Sequence, residues 1–291
     1  MNYDLRNKTI IITGANSGIG EAASIQLAQM GANVVMMCRN KERGEQALQD
    51  VRAVATVGTA ELILVDMSSQ ESVRKAVAEF LNAHSQLDVL IHNAANFDLS
   101  QKKPIMTSDG VESILATNHV NIFLMTKLLL ETLKQSTPSR IITVASKGLM
   151  TYPFLDIEFD NLQGEKTFTV KHAYYHSKQA QVMFTFDLAE RLKGTGMTVN
   201  CVRVGNVAIP DSRLDHLPEF LLKIYAMKRK FALTPEKMAE TYVWLAADPA
   251  LNDVTGKYWD APDTSVKANK NAYRRETQER LWEITEELIN E

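Results

Sequence analysis

Six short apolar runs recur along the chain: KTIIITG, ANVVMMC, AELILVD, LDVLIHNA, SRIITVAS and MTVNCVRV. Each is apolar on both faces and rich in Val and Ile, which is how a strand buried on both sides of a sheet reads. Segments of helical length lie between them, at Ile19–Met30, Glu42–Ala53, Ser69–Ala83, Gly110–Lys134 and His172–Leu192. Strand and helix in this alternation predict a doubly wound α/β domain, with a mostly parallel sheet of seven strands and helices on both faces. No repeat, low-complexity tract or long Pro/Gly/Ser linker divides the 291 residues. One domain over 1–291 is therefore expected, with a terminal helix over about 273–289.

The first strand runs into IITGANSGIGEA, so Gly14, Asn16, Ser17, Gly18, Ile19 and Gly20 lie between a strand and a helix. A tight turn with bare backbone lets a pyrophosphate approach a helix N-terminus, where free N–H groups and the helix dipole favour negative charge. The second strand ends in Cys38 and Arg39, where a site for an unphosphorylated ribose usually carries an acidic residue. An arginine there suits a 2′-phosphate, which predicts NADP(H) over NAD(H).

The stretch HAYYHSKQA holds a second chemical clue. Tyr174 and Lys178 are four apart and Tyr175 and Lys178 three apart, so on a helix either phenol approaches the ammonium. Spacing alone does not choose between the two tyrosines, or between a proton donor and an ordinary surface pair.

Taken together these motifs resemble the short-chain dehydrogenase/reductase family over nearly the whole chain. TGANSGIG resembles its cofactor loop. VDMSS, with Asp66 and Met67, resembles its adenine-side contact, and HNAA, with Asn93, Ala94 and Ala95, its Asn-Asn-Ala-Gly strand end. His92 and Ala95 depart from that pattern. Asn118, Ser146, Tyr174 and Lys178 match the family's catalytic tetrad, with Tyr174 and Lys178 also meeting the cofactor. The resemblance thus assigns the acid/base to Tyr174 and leaves Tyr175 to packing or the substrate wall. It implies that Ser146 orients a carbonyl and that Asn118 holds a water or a backbone carbonyl linking Lys178 to solvent.

An unperturbed tyrosine titrates near ~10, and lowering that by about three units needs about 4 kcal/mol. One positive charge at ~4 Å supplies about that much at an effective dielectric of ~20. Lys178 is therefore expected to pull Tyr174 down.

The 28 residues from Ser146 to Tyr174 contain FDNLQGEKTF, which resembles the insertion of retinol dehydrogenase-like members. Those relatives act on lipophilic alcohols, aldehydes or ketones. Met150, Tyr152, Phe154, Phe220, Leu221 and Tyr225 are candidates for an apolar substrate pocket, with a lid over about 205–232. One departure falls after the sixth strand, in RVGNVAIPDSR. Val204 stands where the family has Pro, and Ile209 where it has a Thr that meets the nicotinamide. Backbone groups near Val207 are the expected substitute.

A formal net charge of −3 argues against a general nucleic-acid or membrane-surface binder. Two cysteines in apolar runs suggest a reducing compartment. MNYDLRNK reads as neither an anchor nor a transit peptide, and no run reaches membrane length. A cytoplasmic protein without a membrane span is expected. No histidines show metal-binding spacing such as HExxH. A homodimer through the helix from Tyr174 to Leu192 is implied by the resemblance. The reading is an NADP(H)-dependent oxidoreductase for a small lipophilic alcohol or carbonyl. Two alternatives stand beside it: a non-catalytic NADP(H)-binding sensor or scaffold, and a reductase or epimerase of sugar nucleotides.

Overall fold

The structure is a computed structural model that describes residues 3–208 and 232–290. Its single sheet contains β1 (Thr9–Thr13), β2 (Asn33–Cys38), β3 (Ala60–Leu64), β4 (Val89–His92), β5 (Ser139–Ser146), β6 (Met197–Val204), β7 (Tyr258–Ala261) and β8 (Thr264–Val266). Their order is β3-β2-β1-β4-β5-β6-β7-β8. The first seven pair in parallel, and β8 pairs antiparallel with β7. Seven strands were expected and eight are present among the described residues. The extra one is a short turn-back from β7, too brief and too exposed to carry an apolar signal.

Alternation along the strands explains why they are apolar on both sides. Ile10 and Ile12 face one layer with helices α1 (Gly18–Gln29), α2 (Lys41–Val54) and α6 (Pro235–Ala247). Ile11 faces the other, with α3 (Gln70–Ala83), α4 (Ser113–Gln135), α5 (Val170–Arg191) and α7 (Arg275–Asn290). These three isoleucines are fully buried, each contributing about 1.5–3 kcal/mol over an exposed side chain. The topology reverses between β1 and β4, and ligands of such sheets bind outside the carboxyl ends at that switch point.

Helix α4 is long and apolar enough to cross a membrane, but here it is a core helix whose Ile122, Phe123, Leu124, Met125, Leu129 and Leu133 are buried. It widens to a π-turn at Ala116–Val120. Its start is capped by the buried Glu112 carboxylate, which accepts from the backbone N–H groups of Ile114 (2.9 Å) and Leu115 (3.0 Å).

Over its C-terminal half α5 packs against α7. Trp282 of α7 packs on Phe123 and Phe184, with ring centroids at 4.6 and 6.0 Å, and the Arg191 guanidinium lies 3.9 Å over the indole. Buried Asp187 pairs with Arg275 of α7 at 2.7 Å and with Arg191 at 3.1 Å. The apolar stripe of the terminal helix has found its partner within the chain.

Candidate active site

A cleft of about 850 Å³ opens outside the carboxyl ends of β1 to β4. Gly14, Asn16, Ser17, Gly18, Ile19, Arg39, Asp66, Met67, Asn93, Ala94, Ala95 and Val207 all line it. Of the predicted cofactor contacts, Gly20, Tyr174 and Lys178 lie outside its wall.

The glycine loop has two separate requirements. Gly14 and Gly18 adopt left-handed backbone, with φ of +66° and +61°. At Gly20 the constraint is space: a Cβ would come within 2.5 Å of both the Asn93 Nδ2 and the Gly14 carbonyl oxygen. Asn93 latches the loop to the end of β4, its Nδ2 donating to the carbonyls of Thr13 (2.9 Å) and Gly14 (3.2 Å). Asn93 is held in turn by the buried Tyr242, whose hydroxyl donates to Asn93 Oδ1 at 3.1 Å. A Cβ on Gly18 would meet nothing within 4 Å. Bare backbone thus faces open cleft at the N-terminus of α1, a geometry that fits the pyrophosphate of a dinucleotide. Arg39 and Asp66 mark the far end, 3.9 Å apart, with the Arg39 side chain 77% exposed.

At the other end, β5 delivers Ser146, whose Oγ accepts from the Gly148 N–H at 3.1 Å and caps the turn Lys147–Thr151. Helix α5 is capped by Thr169, which accepts from the His172 N–H at 3.2 Å, and brings Tyr174 against Ser146. Burial pushes the Tyr174 phenol up to about 12, and its hydrogen bond with Ser146 opposes that rise. The expected lowering by Lys178 is not what the geometry gives. The Lys178 ammonium lies 5.8 Å from the Tyr174 ring centroid. It is bonded instead to the Val144 carbonyl (2.6 Å) and Gln181 Oε1 (3.0 Å), and burial pushes it down to about 8. Desolvation is the largest cause at both groups.

Asn118 binds the loop after β4 through a backbone amide and carbonyl. From the π-turn of α4 its side chain accepts from the Asn96 N–H (2.7 Å) and donates to the Asn96 carbonyl (3.0 Å) and the Ser177 hydroxyl (3.0 Å). It clamps the loop after β4 to α5, leaving no side-chain donor for a relay water. His92 is not a site residue. It is buried beneath the strand end, with Nε2 2.8 Å from the Thr126 hydroxyl, and burial pushes it down to about 3. His172 and His176 stack at 5.6 Å and bind the insertion. His176 Nε2 accepts from the Glu158 N–H at 2.9 Å, and His172 Nε2 lies 3.2 Å from Glu158 Oε1.

The substrate side is aromatic. Tyr175 packs over Gly148, where any Cβ would collide with its hydroxyl, and stacks near Tyr152 at 4.7 Å. Phe97, 41% exposed, lies 4.2 Å from the Tyr174 ring. Met150 and Phe154 are exposed on the same insertion. Val204 ends β6 beside Ser146, and Val207 is pinned by a bridge to Leu233. Ile209, Phe220, Leu221 and Tyr225, and most of the proposed lid, lie outside the described residues. The sequence reading missed Phe97, Tyr242 and Gln181. Only Gln181 left a signal, one helical turn from Lys178.

A family model for short chain dehydrogenase matches residues 8–156. Retinol dehydrogenase 14 of Homo sapiens is 37% identical over 98% of this chain and 87% of its own length. Retinol dehydrogenase 11 of Mus musculus is 35% identical over 99% of this chain and 88% of its own. Among solved structures, an uncharacterized protein from Mycobacterium paratuberculosis is 25% identical and superposes with a TM-score of 0.74, covering 99% of this chain and 96% of that one. The chain belongs to the short chain dehydrogenase family, in its retinol dehydrogenase-like group.

Proposed function

We propose that the chain is an NADP(H)-dependent oxidoreductase that interconverts a lipophilic alcohol with its aldehyde or ketone, Tyr174 serving as the acid/base. The carrying observation is a half-buried phenol beside Ser146, close to an enclosed ammonium and next to a dinucleotide-shaped cleft. When bound, the nicotinamide cofactor supplies the hydride. Ser146 orients the carbonyl oxygen toward Tyr174, and Tyr174 donates its hydroxyl proton to it. A phenol held near 12 keeps that proton at neutral pH, which favours the reductive direction. The Lys178 ammonium stabilises the phenolate left behind. Gly14, Gly18 and the N-terminus of α1 hold the pyrophosphate, and Arg39 meets the 2′-phosphate. Phe97, Tyr152 and Tyr175 favour an apolar substrate, and the names of the relatives point to the same class. Two buried free cysteines support a cytoplasmic setting.

A second reading, a non-catalytic NADP(H)-binding protein, draws on the Phe97 ring that lies over Tyr174. NADPH and NADH consumption with a panel of apolar aldehydes and ketones separates the two, wild type beside Tyr174→Phe. NADPH-driven turnover that vanishes in the variant is expected. Faster turnover with NADH refutes the role of Arg39. Binding of NADPH without turnover on any substrate favours the second reading.

A further inference from the structure

Gln181 is fully buried, and while its Oε1 accepts from Lys178 at 3.0 Å, its Nε2 has no hydrogen-bond partner. Burying an idle amide donor is costly. An apolar side chain would avoid that cost, so the amide oxygen is what this position uses. The titratable groups next to the ammonium are Tyr174 on α5 and Cys201 on β6, and beyond them Tyr175 on α5, Tyr242 on α6 and Tyr258 on β7 interact with those two. Burial holds each of them neutral at pH 7, the Cys201 thiol pushed up to about 11. Among the described residues, no carboxylate forms an ion pair with Lys178.

We infer that Gln181 is a positioning residue that holds the Lys178 ammonium beside Tyr174 with an uncharged acceptor, so that its positive charge stays available to the phenolate. A carboxylate at this place would hold the ammonium as firmly and cancel its field. The inference rests on the reading of Tyr174 as the proton donor, and two variants with two readouts separate it from that reading. Gln181→Glu keeps the acceptor and adds the charge. Gln181→Met keeps the length and removes the acceptor, with no charge to bury.

The first readout needs no turnover: the titration of the Lys178 ammonium, followed by its side-chain NMR signal and assigned by the loss of that signal in Lys178→Met. The second is the pH profile of kcat for alcohol oxidation. In Gln181→Glu both are expected to move upward by about one pH unit. In Gln181→Met, kcat is expected to fall about tenfold, with KM for the substrate unchanged. A residue that only packs would lower the melting temperature and leave the titration, the profile and kcat alone. That result in the folded variants overturns the inference, and if Gln181→Glu does not fold, Gln181→Met decides it alone. A shifted titration in a protein that turns over no carbonyl supports the positioning role and overturns the proposed function instead.

Discussion

The two ends of the cleft are built from different material. The cofactor end is backbone: left-handed Gly14 and Gly18, close-packed Gly20, and the Asn93 latch between β1 and β4. The catalytic end is side chains: Tyr174, Lys178, Gln181 and Asn118 are tied to Ser146, Val144, Asn96 and Ser177, most of them out of reach of water. Backbone geometry fixes shape and tolerates no added atom. Buried polar side chains fix charge, and their behaviour depends on every neighbour. Damage at one end should therefore appear in binding and stability, and damage at the other in the rate of the chemical step and in pH.

Tyr174→Phe tests this division most strongly. Removing the hydroxyl should lower kcat by about 10³-fold, inside the range for lost general acid–base catalysis. NADPH affinity, read by fluorescence titration, should change by less than about twofold. A comparable loss of NADPH affinity would show that the two ends act as one unit.

The next effect is the pH dependence of stability at the catalytic end. His176 must be neutral to accept from Glu158 N–H, and burial pushes it down to about 4 from 6.5. As pH falls, the unfolded chain takes this proton before the folded one does. The contribution is therefore complete above pH 6.5 and is lost as pH falls toward 4, amounting to about 3 kcal/mol at the lower end. His92 and His119, both pushed to about 3, act in the same direction from the core. Urea midpoints measured from pH 7 to 4 should fall steeply in wild type. In His176→Gln they should fall with a slope smaller by about one proton. An unchanged slope would mean that the insertion is not held through His176.

At the cofactor end, Gly20→Ala should destabilise the fold by about 2 kcal/mol, since the new methyl must displace Asn93 or the Gly14 carbonyl. Gly18→Ala meets open space and carries only the left-handed backbone cost, about 1–2 kcal/mol. NADPH affinity should reverse the order of severity. Gly18→Ala places its methyl where the pyrophosphate would lie, whereas Gly20→Ala acts indirectly. Thermal melts beside NADPH titrations check this, and equal binding losses would show that the loop moves as a whole.

The same difference in material explains what was legible in the sequence. Strands apolar on both faces and glycines between strand and helix follow from local sterics, so the mostly parallel sheet and the glycine loop could be read directly. The tetrad could be located by its resemblance, but not its electrostatics. That Lys178 turns to Val144 and Gln181, or that Asn118 spends its amide on Asn96 and Ser177, depends on residues far apart in the chain. The terminal helix was legible, but not its docking on α4 and α5, where Trp282 lies against Phe123, Phe184 and Arg191. Tyr242 left no trace, because a latch on Asn93 formed across 149 residues has no local pattern.

Arg39 is the one place where the backbone end relies on a charged side chain, and it carries the smallest expected effect. Its guanidinium is mostly exposed and 3.9 Å from Asp66, an exposed pair worth under ~1 kcal/mol that does little to fix its position. A 2′-phosphate would offer it stronger, charge-assisted hydrogen bonds, while the neighbouring Asp66 carboxylate subtracts from the gain. Arg39→Ala should therefore lower the ratio of kcat/KM for NADPH over NADH by about tenfold, with the NADH value unchanged. Asp66→Asn should raise the same ratio by a few-fold by removing the opposing charge. A parallel fall for both cofactors in Arg39→Ala would mean that the guanidinium stacks on the adenine they share, and the proposed preference for NADP(H) would lose its support.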